Sequence, residues 1–568
     1  MFQQIKPYFT KYKSNAWLLI VAPFIVYATA ACLYFAPHHL AQLSRDIFNN
    51  GGDPQQFVWL YNWWPYSLVH HLNPFVTSFG WYPSNYNLSW NTSIAGLALI
   101  MLPVTLLGSA LLSFNLMALL APILAATACF YLLHYLTKRF LPSLLGGYIY
   151  GFSSFTLGHL LGHPQMYADF LLPVIGLIFL LYLNRRIKSW LFVLATAILL
   201  AIQFSISEEI FATFIFFSAI TMALFYWLMP DIRRQLTYGL KMLPVTFLVL
   251  LLFISPYLYY MIIGRSEVPL TLHPVSVFSI NAANYLIPTP LTWLGGNALT
   301  GLSHYFTANI SENGGYIGLP FLIILAIITL KYWRERIFRT LTIAMGLVML
   351  LALGPRLHLV GQAGSSIPLP WALFYHLPLL QSAQPDRFTV YIFFLLSIIL
   401  ALWLSRPKDK IRLSSKYLAV LIGIVCILPS TGLYTWSRIP VPAYFNHSAI
   451  QHFLPQNSNV LILPFEKLGS SVYYQYYSGM YFTQTGAYIG FTPREYADNP
   501  VVTALMHNVL GPDFPKQLKT FCLQNRVRQI IFTPATPINQ IDALRATGWM
   551  ITKTHGVGIV NVELPQKT

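Results

Sequence analysis

The sequence predicts a polytopic α-helical membrane protein of about eleven spans, followed by a small C-terminal extracytoplasmic α/β domain. Composition, apolar run length and a break in pattern near the end point to it. Hydrophobic residues make up 56% of the 568 residues and charged residues only 9%, where a soluble domain carries about 25% charged residues. Apolar runs near the roughly 18–20 residues needed to cross a hydrocarbon core recur along the chain. After residue 438 they stop, and residues 439–568 hold fifteen charged residues and no spanning run.

The runs read as spans are 16–36, 115–136, 142–158, 168–183, 190–206, 210–229, 239–262, 315–332, 338–354, 388–405 and 417–435. The first is too long for a signal-peptide core and lacks a cleavage site, so it reads as a retained helix. A twelfth run, 94–112, is long enough to cross but contains Pro103 and Gly108. Lys and Arg decide its place. With the N-terminus cytoplasmic and 94–112 excluded, 20 of the 34 Lys and Arg face the cytoplasm, five lie in external loops and nine in the tail. If 94–112 crossed, 17 of those 20 would move outside, against the positive-inside rule. It therefore reads as an interfacial or re-entrant part of a long first external loop, 37–114.

In the tail, Val460–Pro464, Arg528–Phe532 and Val557–Val562 read as short buried strands, and 500–525 and 538–546 as helices. About 130 residues suffice for one small α/β domain. The chain thus divides into a membrane domain, 1–438, and a soluble domain, 439–568. The setting it suggests is a bacterial inner membrane, with the N-terminus cytoplasmic and the C-terminal domain outside.

The net charge of +17 is spread in short clusters between apolar runs, which argues against a nucleic-acid partner. Cys32, Cys129, Cys426 and Cys522 form no CxxC or paired framework, so neither zinc nor disulfide is supported by cysteine. Walker A, GxGxxG and HExxH motifs are absent, as are internal repeats, so ATP-driven transport and dinucleotide chemistry lack support.

Only 17 Asp and Glu occur. Eight fall in external loops of the membrane domain, near helix ends. Asp53 lies in Gly52-Asp53-Pro54 at the start of the first loop, with Asp46 upstream. The aromatic stretch 55–72 that follows (Trp59, Tyr61, Trp63, Trp64) reads as a helix on the membrane surface. It would be either an interfacial aromatic belt or a lid whose rings stack on sugars. The second external loop offers His159, His163-Pro164-Gln165 and Asp169. The two histidines at i, i+4 could bind a metal or polarise a phosphate, although Pro164 argues against a continuing helix. The third offers Glu208-Glu209, of which only one can face a cavity because neighbours on a helix diverge; Glu208 is the candidate. External guanidiniums at Arg387, Arg356 and Arg265 could grip a lipid phosphate or simply snorkel.

This arrangement resembles the GT-C glycosyltransferases, integral membrane enzymes that use polyprenyl-phosphate-linked sugars. The resemblance rests on an acid in a long first external loop (Gly52-Asp53-Pro54), surface segments 55–72 and 94–112, a second polar motif after the third span (His163-Pro164-Gln165 to Asp169), and a closing external domain. It implies transfer of a hexosyl or pentosyl unit from a polyprenyl-phosphate-linked donor to a glycan, lipid or protein acceptor at the external face. It also implies that Asp53 is the catalytic base or acceptor-orienting group. The chain departs from the family in two places. Asp53 is followed by proline rather than a second acid, and the Asp-x-Asp/Glu of metal-dependent members is missing, so a divalent metal lacks motif support. Two rivals remain: a flippase or transporter of a lipid-linked saccharide, which would need polar groups deep in its spans, and a noncatalytic membrane scaffold.

Overall fold

The computed structural model describes residues 16–265, 274–361, 367–377, 380–406 and 411–563. Lys6, Lys11, Lys13, Lys408 and Lys410 of the set expected to be cytoplasmic, with Asp409 and Glu267, lie outside the described residues.

The chain enters through α1 (Ala16–Phe35) and then the first long loop. That loop carries α2 (Gly52–Val69), α3 (Ala95–Ile100) and α4 (Leu102–Leu107). A six-residue helix rises only about 9 Å, so neither α3 nor α4 crosses a membrane by itself. Gly108 ends α4, and Ser109 caps the next helix by accepting from the Leu112 N–H at 3.1 Å. That helix is α5 (Ala110–Thr137), 28 residues long.

Among the described residues, six helical stretches are long and apolar enough to cross: Ala110–Thr137, Pro164–Leu183, Ser189–Ile206, Glu208–Leu228, Pro230–Ile263 and Pro385–Leu404. Leu19–Phe35, Leu319–Tyr332 and Leu413–Cys426 are shorter apolar helices. Two expected runs differ in detail. Run 142–158 is interrupted: α6 (Phe140–Gly151) ends at Phe152, and Ser153 caps a separate α7 (Ser154–His159). Run 417–435 is helical only to Cys426, because Pro429 and Gly432 follow.

Residues 459–561 hold a five-stranded mixed sheet. Its strands are Asn459–Leu463, Thr483–Gln484, Gln529–Phe532, Ile551–Thr554 and Val557–Asn561. Gln529–Phe532 is the central strand, and Asn459–Leu463 beside it is parallel to both its neighbours, with Val460 opposite Gln529 and Leu463 opposite Phe532. The Ile551–Thr554 and Val557–Asn561 hairpin closes one side, antiparallel to Gln529–Phe532. The expected helix 500–525 is two helices, Pro500–His507 and Phe514–Gln524, separated around Gly511-Pro512.

The aromatic stretch of α2 is neither a lipid-facing belt nor a lid. Trp59 and Trp63 are buried and stack on each other at 5.5 Å. The indole N–H groups find partners inside the protein: Trp59 donates to Gln475 Oε1 at 2.7 Å, Trp63 to the Pro74 carbonyl and Trp64 to the Ser93 carbonyl, each at 2.9 Å. Buried Trp needs such partners. Gln475 lies on the helix Ser471–Tyr477, which packs against α2. One apolar core accordingly runs from α1 and α5 through α2 to Leu461, Ile530 and Val560 of the sheet. A two-strand pairing of Ile47–Phe48 with Trp436–Ser437 adds a second tie between the first loop and the end of the membrane region.

Candidate functional site

Asp53 stands in the first turn of α2, where the helix N-terminus favours a carboxylate. Its Oδ1 accepts from the Tyr488 hydroxyl at 2.6 Å, and its Oδ2 lies 3.5 Å from His163 Nε2. The side chain is 41% exposed, so solvent or substrate can reach it.

The histidines arrive on a tightly wound turn. His159 ends α7, and the His163 N–H donates to the His159 carbonyl at 2.8 Å. One helical turn thus continues despite Pro164, which instead opens a four-residue helix at a position where its missing N–H costs nothing. His159 Nδ1 and His163 Nδ1 come within 3.2 Å. Two glycines allow the approach. A Cβ on Gly158 would meet the Ser311 carbonyl oxygen at 2.3 Å, and one on Gly162, at φ +154°, would meet Pro54 of α2 at 3.2 Å. The same short turn therefore touches the start of α2 on one side and the 311–312 loop on the other.

That loop brings Glu312. Asn309 Oδ1 accepts from the Ser311 and Glu312 N–H groups at 2.9 and 3.2 Å, fixing the turn. Glu312 Oε2 lies 3.7 Å from His159 Nε2, and Oε1 lies 3.7 Å from His163 Nδ1. Arg387 then grips Glu312 with two donors, Nε to Oε2 at 3.1 Å and Nη2 to Oε1 at 2.6 Å. Its Nη1 donates to Glu209, whose other oxygen accepts the Gln384 N–H at 2.7 Å. Asp53, His163, His159, Glu312, Arg387 and Glu209 thus form one chain of charged and polar groups.

Electrostatics sorts them. Burial pushes the His159 imidazole down to about 3, against the pull of Glu312, so it is neutral near pH 7. Burial works to raise Glu312, but the Arg387 guanidinium outweighs it and holds the carboxyl well below its usual range. Burial also opposes ionisation of Asp53. Hydrogen bonds from His163 and Tyr488 and the Lys467 charge outweigh it, so Asp53 sits below its ordinary value.

Of the residues proposed from sequence, Asp53, His159, His163 and Arg387 belong to this chain, and Asp46, Gln165, Asp169, Glu208, Arg356 and Arg265 lie apart. Asp46 is half-buried, and no hydrogen bond or ion pair joins it to Asp53 among the described residues; its backbone carbonyl accepts from Asn115 at 2.7 Å. Gln165 is buried with Oε1 unpartnered. Asp169 is buried with both carboxylate oxygens unpartnered, and its backbone carbonyl accepts from the Tyr150 hydroxyl at 3.1 Å. Glu208 is the wrong member of its pair. It accepts from the Tyr257 hydroxyl at 2.7 Å, and Tyr257 bonds Ser93 of the first loop, while Glu209 turns to Arg387. Arg356 is exposed and backbone-bridged to Pro368. Arg265 is exposed, with its guanidinium 5.2 Å from the Trp90 ring centre.

Glu312 and Glu209 escaped selection. Their one sequence signal is that carboxylates are scarce in this chain. Tyr488 and Lys467, more than four hundred residues from Asp53, carried none.

One donor atom each from His159, His163 and Glu312 lies within 4.8 Å of the others. Two imidazoles and a carboxylate are a familiar zinc-type donor set, and a neutral His159 and an ionised Glu312 are the required protonation states. Each Glu312 oxygen has lone pairs beyond those that Arg387 uses. The residues therefore fit a divalent cation.

No family model matches the chain, and no curated protein matches it. Solved structures do. The crystal structure of the Archaeoglobus fulgidus oligosaccharyltransferase in complex with zinc and sulfate matches with a TM-score of 0.52 at 12% identity, covering 90% of this chain and 68% of that one. Its apo form matches at 0.50 and 12% identity, with 92% and 70% covered. ArnT from Cupriavidus metallidurans bound to undecaprenyl phosphate gives 0.46 and 9% identity, with 96% and 98% covered. What the chain shares with the archaeal oligosaccharyltransferase is its fold, and that fold is the GT-C architecture.

Proposed function

We propose that this chain is a membrane glycosyltransferase that moves a sugar from a polyprenyl-phosphate-linked donor to an acceptor at the external face. The observation that carries the proposal is the convergence of Asp53, His163, His159, Glu312 and Arg387 at one place. Support for the class comes from the fold, and the eleven-span topology remains part of the proposal.

The chemistry needs a group that orients the acceptor nucleophile and cationic groups that stabilise the leaving phosphate. Asp53, held below its ordinary value, is a weak proton acceptor and a strong hydrogen-bond acceptor. Its role is to hold the acceptor hydroxyl in line and take up its proton late. Of the five guanidinium N–H groups of Arg387, three already bind Glu312 and Glu209, which leaves two for a phosphate oxygen. His159, His163 and Glu312 would hold a divalent cation, with Asp53 beside His163. Such an ion supplies a positive charge that draws off the charge developing on the phosphate. Inversion at the sugar carbon follows from a single displacement.

The test uses purified protein in proteoliposomes with a polyprenyl-phosphate-linked sugar. Asp53→Asn should insert normally and lose transfer by at least a hundredfold. Full activity of that variant would overturn the role given to Asp53, and no transfer by the wild-type protein would overturn the transferase reading.

A further inference from the structure

An open pocket of about 220 Å³ lies between the start of α2 and the segments after the strands Asn459–Leu463 and Gln529–Phe532. It is smaller than the ~300–1,000 Å³ typical of drug-sized ligand sites, which suits one ring rather than an extended chain. Gly52, immediately before Asp53, forms part of its wall.

Two of its polar side chains are buried and unsatisfied. Gln55 is 5% exposed; its Nε2 donates to Asn50 Oδ1 at 2.9 Å, but its Oε1 has no partner. Thr533 is 4% exposed and its Oγ1 also has none. A buried polar atom without a partner is destabilising, so a ligand that supplies partners to both gains affinity from them. Lys467 and Ser470 line the same space, and Lys467 is exposed.

The donor and acceptor pattern selects the ligand. Gln55 Oε1 can only accept and Lys467 Nζ can only donate, while the hydroxyls of Thr533 and Ser470 do either. An ionised phosphate ester has no proton to give Gln55. A pair of neighbouring hydroxyls gives a proton to Gln55 Oε1 and accepts one from Lys467 at the same time. We propose that this pocket is a saccharide subsite that seats a sugar ring of the acceptor beside the helix bearing Asp53. The proposal rests on the transferase reading only for the word acceptor; the binding of a sugar ring stands on the pocket alone.

The experiment is saturation-transfer NMR on the full-length protein in detergent, with a panel of methyl hexopyranosides as probes. At least one should show transfer, reduced fivefold or more in both Lys467→Ala and Thr533→Val, with the thermal unfolding midpoint of Lys467→Ala unchanged. Binding to Asp53→Asn should persist. Three results would each overturn the proposal: no glycoside signal, signals equal in wild type and both variants, or displacement of the glycoside by equimolar inorganic phosphate. Failure here leaves an Asp53-dependent transfer intact, whereas the absence of transfer by the wild-type protein sinks the transferase reading and leaves sugar binding standing.

Discussion

Arg387 is the residue on which the charge of the site turns. Two carboxylates, Glu312 and Glu209, pair with its one guanidinium, and the buried imidazole of His159 is neutral. Buried charges survive only when paired and hydrogen-bonded, and the two-donor grip on Glu312 meets that condition. A second buried acid, Glu466, is different. Its carboxyl is 4% exposed, with Oε1 unpartnered, and burial pushes it up to about 8, against the neighbouring Lys467 charge. The folded state therefore keeps a proton that the unfolded chain releases near 4.5. Stability from this group is full below about pH 4.5, falls as pH rises, and levels off above about 8. Glu466→Gln should flatten that slope in thermal unfolding followed from pH 5 to 8; an unchanged slope would assign the pH dependence elsewhere.

At the scale of elements, the site is made by a short turn held between two others. Residues 158–163 join α7 to the start of α2 and to the Ser311–Glu312 loop through contacts that leave no room for a Cβ at Gly158. Gly158→Ala should push Ser311 away and carry Glu312 off His159. A displacement near 1 Å costs on the order of a hundredfold in rate, and that loss is expected in transfer assays with membrane insertion unaffected; wild-type activity would show that the loop yields without moving Glu312. Elements of this kind are also where sequence reading reached its limit. Asp53, His163 and Arg387 stood out because a charge at an external helix end is rare in so apolar a chain. Glu209 did not, since neighbours on a helix diverge and the pattern does not say which one turns inward. Glu312 looked like any loop acid, because its partners come from α7 and from the start of another helix. The aromatic run of α2 has the composition of a membrane interface, and only the helix Ser471–Tyr477 packed on it shows why those rings are buried.

At the scale of the whole molecule, the membrane helices and the C-terminal sheet share one apolar core through α2. The composition break near residue 438 follows the last apolar helix, Leu413–Cys426, yet it does not mark where packing ends. Trp59, fully buried and bonded to Gln475, sits in that junction. Trp59→Ala should cost about 3–5 kcal/mol. It should lower a single unfolding transition seen equally by a probe in the helices and a probe in the sheet. Two separate transitions in the wild type would argue that the parts unfold independently.

The hydrogen bond from Tyr488 to Asp53 spans 435 residues of chain. A ribosome adding about 5–20 residues each second needs roughly 20 to 90 s to travel from one to the other. Throughout that interval Asp53 lacks one of its two hydrogen-bond partners. The site is thus timed by synthesis, and it is completed only after Tyr488 has been made.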